Sequence, residues 1–158
     1  MARKSKTGPG DEPFLKVLRP LVEAYYAFIR KDVRHIRTSG LTQPQFDVIA
    51  TLGDTQGMTC KKLSEKTLVT KGTLTGVMDR LEAKGLIERV PSRSDRRCTI
   101  IRLTPRGDEL FQKVFPAQIY FLKPYFERAL TSAQMKEMRE MLLRLKESFE
   151  QTEEGGTS

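Results

Sequence analysis

The feature that most constrains the fold of this chain is a change of hydrophobic period at Gly85. Before Gly85, apolar residues recur at positions i, i+3, i+4 and i+7, the pattern of one face of an α-helix. These residues are Leu74, Val77, Met78 and Leu81. After Gly85 come two short β-branched runs, residues 86–90 and 98–103, separated by a polar bend. The pattern predicts a helix that is followed directly by an antiparallel β-hairpin.

Upstream of this unit, helical spacing and capping signals predict three more helices. The first is long, and Pro20 is expected to kink or restart it. A capping box of Thr42 and Gln45 opens the second, and Thr59 caps a short third. Thr70 is expected to cap the fourth helix, which carries the apolar stripe described above.

Downstream of the hairpin, two further helices are predicted. Thr104 and Pro105 form the start of the fifth, in which Pro116 and Pro124 are expected to cause bends. A second capping box, Thr131–Gln134, opens the sixth. An apolar stripe then follows at helical spacing, comprising Met135, Met138, Leu142, Leu145 and Phe149.

The order of elements predicts a mainly α protein with a small β-hairpin wing, which is a winged helix-turn-helix flanked by extra helices. We expect a flexible basic tail at 1–10, the first helix within 11–40 and the winged helix-turn-helix at 41–104. The last helices should occupy 105–150, before a disordered tail at 151–158.

The charge of the chain favours a polyanionic partner, and a merely soluble basic protein is the alternative. The net charge is +8, and between residues 84 and 106 basic residues outnumber acidic ones by seven to two. Nucleic acid or an anionic membrane surface would suit such a balance. No run approaches the roughly 18 apolar residues of a membrane span, and no apolar stretch follows the basic start to suggest a leader. Two cysteines are too few for a disulfide framework, so we expect a reduced cytoplasmic protein without membrane contact.

The fourth helix carries the candidate major-groove residues. Its side opposite the apolar stripe offers hydroxyls, cations and two glycines, which suit phosphates, base edges and close backbone approach. These residues are Thr70, Lys71, Gly72, Thr73, Thr75, Gly76 and Arg80. Small solvent-facing residues are the alternative interpretation, and the basic hairpin that follows weighs against it.

The bend of the hairpin carries the candidate minor-groove residues. Arg93, Arg96 and Arg97 surround a single acid, Asp95. A narrow basic tip suits the negative potential of a minor groove. We expect Asp95 to orient the Arg97 guanidinium by paired hydrogen bonds; a surface ion pair of little energetic value is the alternative.

Four segments together resemble the MarR family of bacterial transcription regulators. They are LTQPQFDVIATL, SEKTLVTKGTLTGVMDRLEAKGLIER, SRSDRRCTIIRLTPRG and LTSAQMKEMREMLLRL. The resemblance implies a homodimer formed by the N-terminal and the last two helices, and a pseudo-palindromic operator in double-stranded DNA. It also implies repression relieved by a small aromatic acid or an oxidant, residues 70–80 as the recognition helix, and Asp95 and Arg97 as the wing pair. Where the family's wing begins Asp-Pro, this chain has Ser92 and Arg93.

The family's effector pocket lies between the first, second and fifth helices. An apolar slot with a cation for a carboxylate would suit an aromatic acid, and core packing is the alternative for each aromatic residue. The residues expected to border the pocket are Tyr26, Arg34, His35, Phe46, Phe111 and Phe115.

Other functions have weaker support in the sequence. Cys60 and Cys98 each lie beside basic residues, which favours a redox-responsive regulator as an alternative. A single histidine, His35, argues against a metal site, and we expect no cofactor. The absence of a nucleophile motif or phosphate loop argues against an enzyme. A winged helix used for protein contacts and an activator or dual regulator with the same DNA contacts stay open.

Overall fold

A computed structural model of the chain describes residues 10, 12–92 and 97–151. The tails expected at 1–10 and 151–158 therefore fall almost entirely outside the described residues. In chain order the elements are α1 (Leu15–Arg37), α2 (Gln43–Leu52), β1 (Met58–Thr59), α3 (Cys60–Lys66), α4 (Lys71–Ala83), β2 (Ile87–Pro91), β3 (Thr99–Leu103), α5 (Pro105–Ala129) and α6 (Ser132–Gln151). The six predicted helices and the predicted hairpin are present in the predicted order, which confirms the fold class.

The predicted capping boxes are formed. The Thr42 hydroxyl accepts from the Gln45 backbone N–H at 3.4 Å, and the Gln45 side chain accepts from the Thr42 N–H at 3.1 Å. Thr131 and Gln134 make the same pair of bonds at 3.3 Å and 2.8 Å. Each box satisfies N–H groups that a helix start would otherwise leave without partners.

The sheet contains one strand more than the hairpin. Strand β3 lies in the middle, pairing antiparallel with β2 on one side and with the two-residue β1 on the other. In this register Met58 lies opposite Ile101, and Ile87 lies opposite Leu103. The strand β1 was not predicted because two residues cannot show an alternating pattern.

The hydrophobic core lies between α2, α3, α4 and the sheet. Its most deeply buried side chains come from each of these elements: Val48, Ile49, Leu52, Leu63, Leu74, Val77, Leu81, Ile87 and Ile101. The stripe that predicted α4 is confirmed, because all four of its residues are at most 3% exposed. Burial of that stripe fixes which side of α4 faces solvent.

Of the two outcomes expected at Pro20, a restart of the first helix is wrong, because α1 runs without interruption from Leu15 to Arg37, and a kink stays a prediction. Proline removes one backbone hydrogen bond. Pro20 is exposed, so the carbonyl left without an N–H partner can be solvated. Pro116 and Pro124 are also exposed inside the continuous helix α5, where the expected bends stay predictions.

The chain divides into two compact units, residues 1–118 and 119–158. The first contains the core and the sheet. The second contains the C-terminal part of α5 together with α6, and no described residue of α6 is buried. Every helix in the described part of the chain is too short or too polar to cross a membrane.

Candidate nucleic-acid interface

Helix α4 presents a polar surface opposite its buried stripe. The structure places six of the seven predicted major-groove residues at exposed positions, and Gly76 is half-buried. We call this surface the α4 outer face; it comprises Thr70, Lys71, Gly72, Thr73, Thr75, Gly76 and Arg80. Two cations, three hydroxyls and two glycines therefore lie on one exposed side of one helix. Such a set can bind phosphates and hydrogen-bond base edges.

The glycines leave the helix backbone uncovered. A Cβ atom added at Gly72 would meet no atom within 4 Å. A Cβ atom added at Gly76 would lie 3.8 Å from both terminal nitrogens of Arg80, whose guanidinium therefore lies alongside this glycine. No side chain therefore covers the helix backbone at Gly72, and the Arg80 guanidinium lies beside Gly76.

The start of α4 differs from the predicted cap. Thr70 precedes the helix with an extended backbone, but its hydroxyl makes no bond to a backbone N–H. It donates instead to the Thr73 hydroxyl at 3.0 Å. Thr70 therefore occupies the N-cap position as predicted, but its side chain makes no bond to the helix backbone.

A carboxylate on α2 holds the turn before α4. The Asp47 Oδ2 atom accepts from the Leu68 backbone N–H at 2.6 Å. Asp47 is half-buried, and this burial raises the pKa of its carboxyl, while the bond from Leu68 acts in the opposite direction. No sequence pattern indicates this role of Asp47, since 21 residues separate it from its partner.

An arginine on the wing binds two acids on α4. The Arg89 guanidinium on β2 contacts Asp79 at 2.6 Å and also Glu82. The bond to Asp79 is the main cause that raises the pKa of Arg89. On the neighbouring strand, Arg102 pairs with Glu88 at 2.7 Å. Two of the hairpin's basic residues thus have structural partners, which the sequence analysis did not anticipate.

The bend of the wing is described only in part. Arg97 is exposed, and the Ser92 N–H donates to the Cys98 carbonyl at 2.8 Å, which joins the two sides of the bend. Arg93, Asp95 and Arg96 lie outside the described residues. The pairing of Asp95 with Arg97 therefore stays a prediction.

A cavity of about 250 Å³ lies in the first unit, between α1, α2 and α5. Of the six predicted pocket residues, His35 and Phe46 line it. Phe111 is buried and stacks on Phe115, and neither lines the cavity. Tyr26 and Arg34 are exposed on α1 and do not line it either. The other lining residues are Ile36, Thr38, Ser39, Leu110, Lys113, Val114, Ala117 and Gln118.

A buried polar chain fixes the orientation of the cavity histidine. Gln118 donates from Nε2 to Asp32 Oδ1 at 2.6 Å, so its Oε1 atom is left to accept from His35 Nδ1 at 2.5 Å. Burial raises the pKa of Asp32, against the bond from Gln118 and the charge of His35. His35 was predicted from the sequence, whereas Asp32 on the same helix and Gln118, which lies 83 residues away, were not.

The two cysteines occupy different surroundings and form no disulfide. Cys60 is exposed at the first position of α3 and lines a groove of about 290 Å³ beside Lys61, Lys71 and Thr75. Cys98 is half-buried just before β3. Within the described part of the chain, no group of three histidine, cysteine or acidic side chains is placed to hold a metal ion.

Comparisons with known proteins agree with this geometry. The MarR family model matches residues 41–99. The HTH-type transcriptional regulator MhqR of Bacillus subtilis is 32% identical over 105 residues, which are 66% of this chain and 72% of MhqR.

Two solved structures share the fold. Sco3205, a MarR family transcriptional regulator from Streptomyces coelicolor solved in complex with DNA, matches with a TM-score of 0.77 and 21% identity, covering 85% of this chain and 86% of that one. BpsR of Bordetella bronchiseptica, whose DNA binding is regulated by 6-hydroxynicotinic acid, matches with a TM-score of 0.72 and 24% identity, covering 88% and 96%. The chain belongs to the MarR family and is a DNA-binding regulator of transcription.

Proposed function

We propose that the chain is a homodimeric repressor of a pseudo-palindromic operator, and that a small aromatic acid relieves the repression. The observation that carries the proposal is the α4 outer face, where cations, hydroxyls and uncovered backbone share one exposed surface beside a basic wing. Sco3205 has this fold and was solved with DNA, which supports the same use of the surface here.

Exposed apolar side chains support the dimer. In the first unit, four apolar side chains at the start of α1 and along it are each at least 55% exposed: Phe14 just before the helix, and Val17, Tyr25 and Tyr26 within it. In the second unit, α6 buries none of its described residues although it carries Met141, Leu142, Leu145 and Phe149. Apolar patches of this kind mark interaction surfaces. A second copy of the chain would cover them and present a second α4 to the other half of a palindrome.

The cavity supports the aromatic acid. Phe46, Leu110 and Val114 provide an apolar wall, and His35 and Lys113 provide partners for a carboxylate. The polar chain through Gln118 and Asp32 holds the His35 ring at the wall of the cavity. BpsR responds to 6-hydroxynicotinic acid, a compound of the same chemical class.

A redox-responsive regulator is the second candidate. The exposed Cys60 thiol lies in the groove between α3 and α4, beside Lys71 of the α4 outer face. An oxidised or modified thiol there would obstruct the surface that meets DNA. Cys98 on the wing is the alternative position. An activator or dual regulator would use the same DNA contacts, because activation depends on the position of the operator at its promoter.

Selection of bound fragments from genomic DNA at about 150 mM salt tests the proposal. The wild type, Arg97→Ala and Arg102→Ala are compared in parallel. Arg102→Ala is a matched control, since it removes the same charge from a strand residue that is paired with Glu88. We expect the wild type and Arg102→Ala to enrich a short inverted repeat and Arg97→Ala to lose it. If the wild type enriches no repeat, the operator proposal fails.

A reporter gene behind the enriched repeat tests the sign of regulation. Repression predicts higher expression when the regulator is absent. The proposed effector predicts in addition that 6-hydroxynicotinic acid or a related aromatic acid lowers the affinity for DNA, whereas an oxidant does not. Loss of repression on oxidation, abolished by Cys60→Ser, would favour the redox candidate instead.

A further inference from the structure

We propose that Leu68 reads a base, by contact with the 5-methyl group of a thymine in the major groove, and that Asp47 positions it. The inference rests on the proposed function, because it requires a specific operator. It adds an apolar contact to the polar contacts of the α4 outer face.

Leu68 is an apolar side chain held in solvent by an ordered turn. It is 86% exposed, the largest exposure among the large apolar side chains of the described residues, whereas Thr67 and Val69 on either side are each 8% exposed. The Thr67 hydroxyl donates to the Leu63 carbonyl at 3.0 Å, and Val69 belongs to the core. The backbone is therefore anchored immediately before and after Leu68.

The direction of Leu68 follows from the burial of its neighbours. Burial alternates through residues 67–70: Thr67 is buried, Leu68 exposed, Val69 buried and Thr70 exposed. Leu68 is therefore exposed to solvent together with Thr70, the first residue of the α4 outer face, at a Cα separation of no more than about 7 Å.

Asp47 fixes this arrangement from a different helix. Its carboxylate accepts from the Leu68 N–H at 2.6 Å, and its neighbours on α2, Val48 and Ile49, are fully buried. The turn is thereby attached to the core at Leu68 itself. A side chain on a fixed backbone loses less entropy on binding than one on a mobile loop.

Thymine offers the matching group. It alone among the four bases presents a methyl group in the major groove, and that methyl is read by apolar contact. The N-terminal residues of a recognition helix approach base edges most closely. The only apolar groups that the α4 outer face offers there are the small methyl groups of its threonines, so Leu68 supplies a larger apolar surface.

A methyl-deletion experiment tests the contact. The probe is a duplex of the inverted repeat enriched from genomic fragments, in which each thymine of one half-site is replaced in turn by deoxyuridine. This substitution removes the methyl group and preserves base pairing. We expect wild-type affinity to fall about fourfold at one position. Leu68→Ala should lose a similar factor on the unmodified duplex and show no further loss at that position, whereas Leu68→Met should retain the methyl sensitivity.

The positioning role of Asp47 has its own readout. Asp47→Ala should reduce the methyl sensitivity, and Asp47→Asn should restore it, because the amide oxygen can still accept from the Leu68 N–H. Unfolding curves of all variants control for folding, and those of the Leu68 variants should match wild type because the side chain is exposed.

The outcomes separate the two proposals. If the wild type enriches a repeat but is insensitive to every deoxyuridine, or if Leu68→Ala keeps the full sensitivity, the Leu68 proposal is overturned and the operator proposal stands. If the wild type enriches no repeat, both are overturned.

Discussion

At the scale of single residues, glycines serve opposite purposes in this chain. Gly72 borders open space, whereas a Cβ atom added at Gly53 would lie 2.2 Å from the Cε2 atom of Phe111. Gly72 leaves space at the surface for a binding partner, and Gly53 leaves space for the buried ring of Phe111. Substitution by alanine distinguishes the two cases, because stability and DNA binding should respond differently.

Gly72→Ala is expected to raise the free energy of unfolding by up to about 1 kcal/mol, since alanine favours a helix interior over glycine. The same methyl group should lower affinity for the operator, because it protrudes from the surface that meets DNA. Urea unfolding and operator titration measure the two effects. Unchanged affinity would show that the backbone at Gly72 does not approach DNA closely.

Gly53→Ala is expected to lower the free energy of unfolding by about 1–3 kcal/mol, the usual cost of overpacking a core. Phe111 is 4% exposed and cannot move aside without disturbing its neighbours. Adding Phe111→Leu to Gly53→Ala should recover part of the loss. Urea unfolding of the three variants measures this, and additive losses in the double variant would contradict the steric explanation.

Asp32 should make stability depend on pH. Burial raises the pKa of its carboxyl in the folded state, so its contribution to stability is present below about pH 4 and lost as the pH rises through the folded-state value. Asp32→Asn keeps an oxygen for Gln118 and carries no charge. It should therefore resemble wild type below about pH 4 and exceed it in stability at neutral pH.

Unfolding measured across this pH range checks the effect of Asp32→Asn. Glu109→Gln, which neutralises an exposed carboxylate on α5, serves as the control for charge alone. An Asp32→Asn variant whose stability relative to wild type is the same at every pH would contradict burial as the cause.

At the scale of elements, Arg89 attaches the wing to α4. It contacts Asp79 and Glu82 one turn apart on the helix, while Arg102 pairs with Glu88 within the sheet. Arg89→Ala is expected to lower the free energy of unfolding by about 1 kcal/mol and to accelerate hydrogen exchange in β2. Arg102→Ala is the control of equal charge, and equal exchange in both variants would show that Arg89 is not a specific attachment.

Sequence patterns predicted the elements better than the contacts between them. Capping signals, apolar residues at helical spacing and the stripe on α4 are local signals, and together they placed all six helices. Strand β1 was missed because it is two residues long, and Thr70 occupies the predicted N-cap position of α4 without the side-chain bond expected of a cap.

Within the candidate site, the outer face of α4 followed from its buried stripe, since one face determines the other. The bond between the Leu68 N–H and Asp47 and the bonds between Arg89 and α4 could not be predicted, because they join residues that are far apart in the sequence. The same holds for the chain from Asp32 through Gln118 to His35.

At the scale of the whole molecule, exposed apolar surfaces predict self-association. Leu142→Glu places a charge among the exposed apolar residues of α6 and should convert a dimer into a monomer. Operator affinity should fall about a hundredfold or more, because the two half-sites are no longer bound together. Sedimentation gives the mass, and Lys136→Glu on the same helix is the control. Tight specific binding by a true monomer would contradict the dimer.

The short strand β1 has a consequence for the operator. Thr59 pairs with Ile100 of the wing and also accepts from the Lys62 N–H at the start of α3, so one residue joins the wing to the helix-turn-helix. Arg89 makes a second connection, to α4. The wing and the recognition helix are therefore held at a fixed distance from each other, as one DNA-binding unit. An insertion of one base pair inside a half-site should not be tolerated, because the wing and the helix cannot move apart to contact both sides of it.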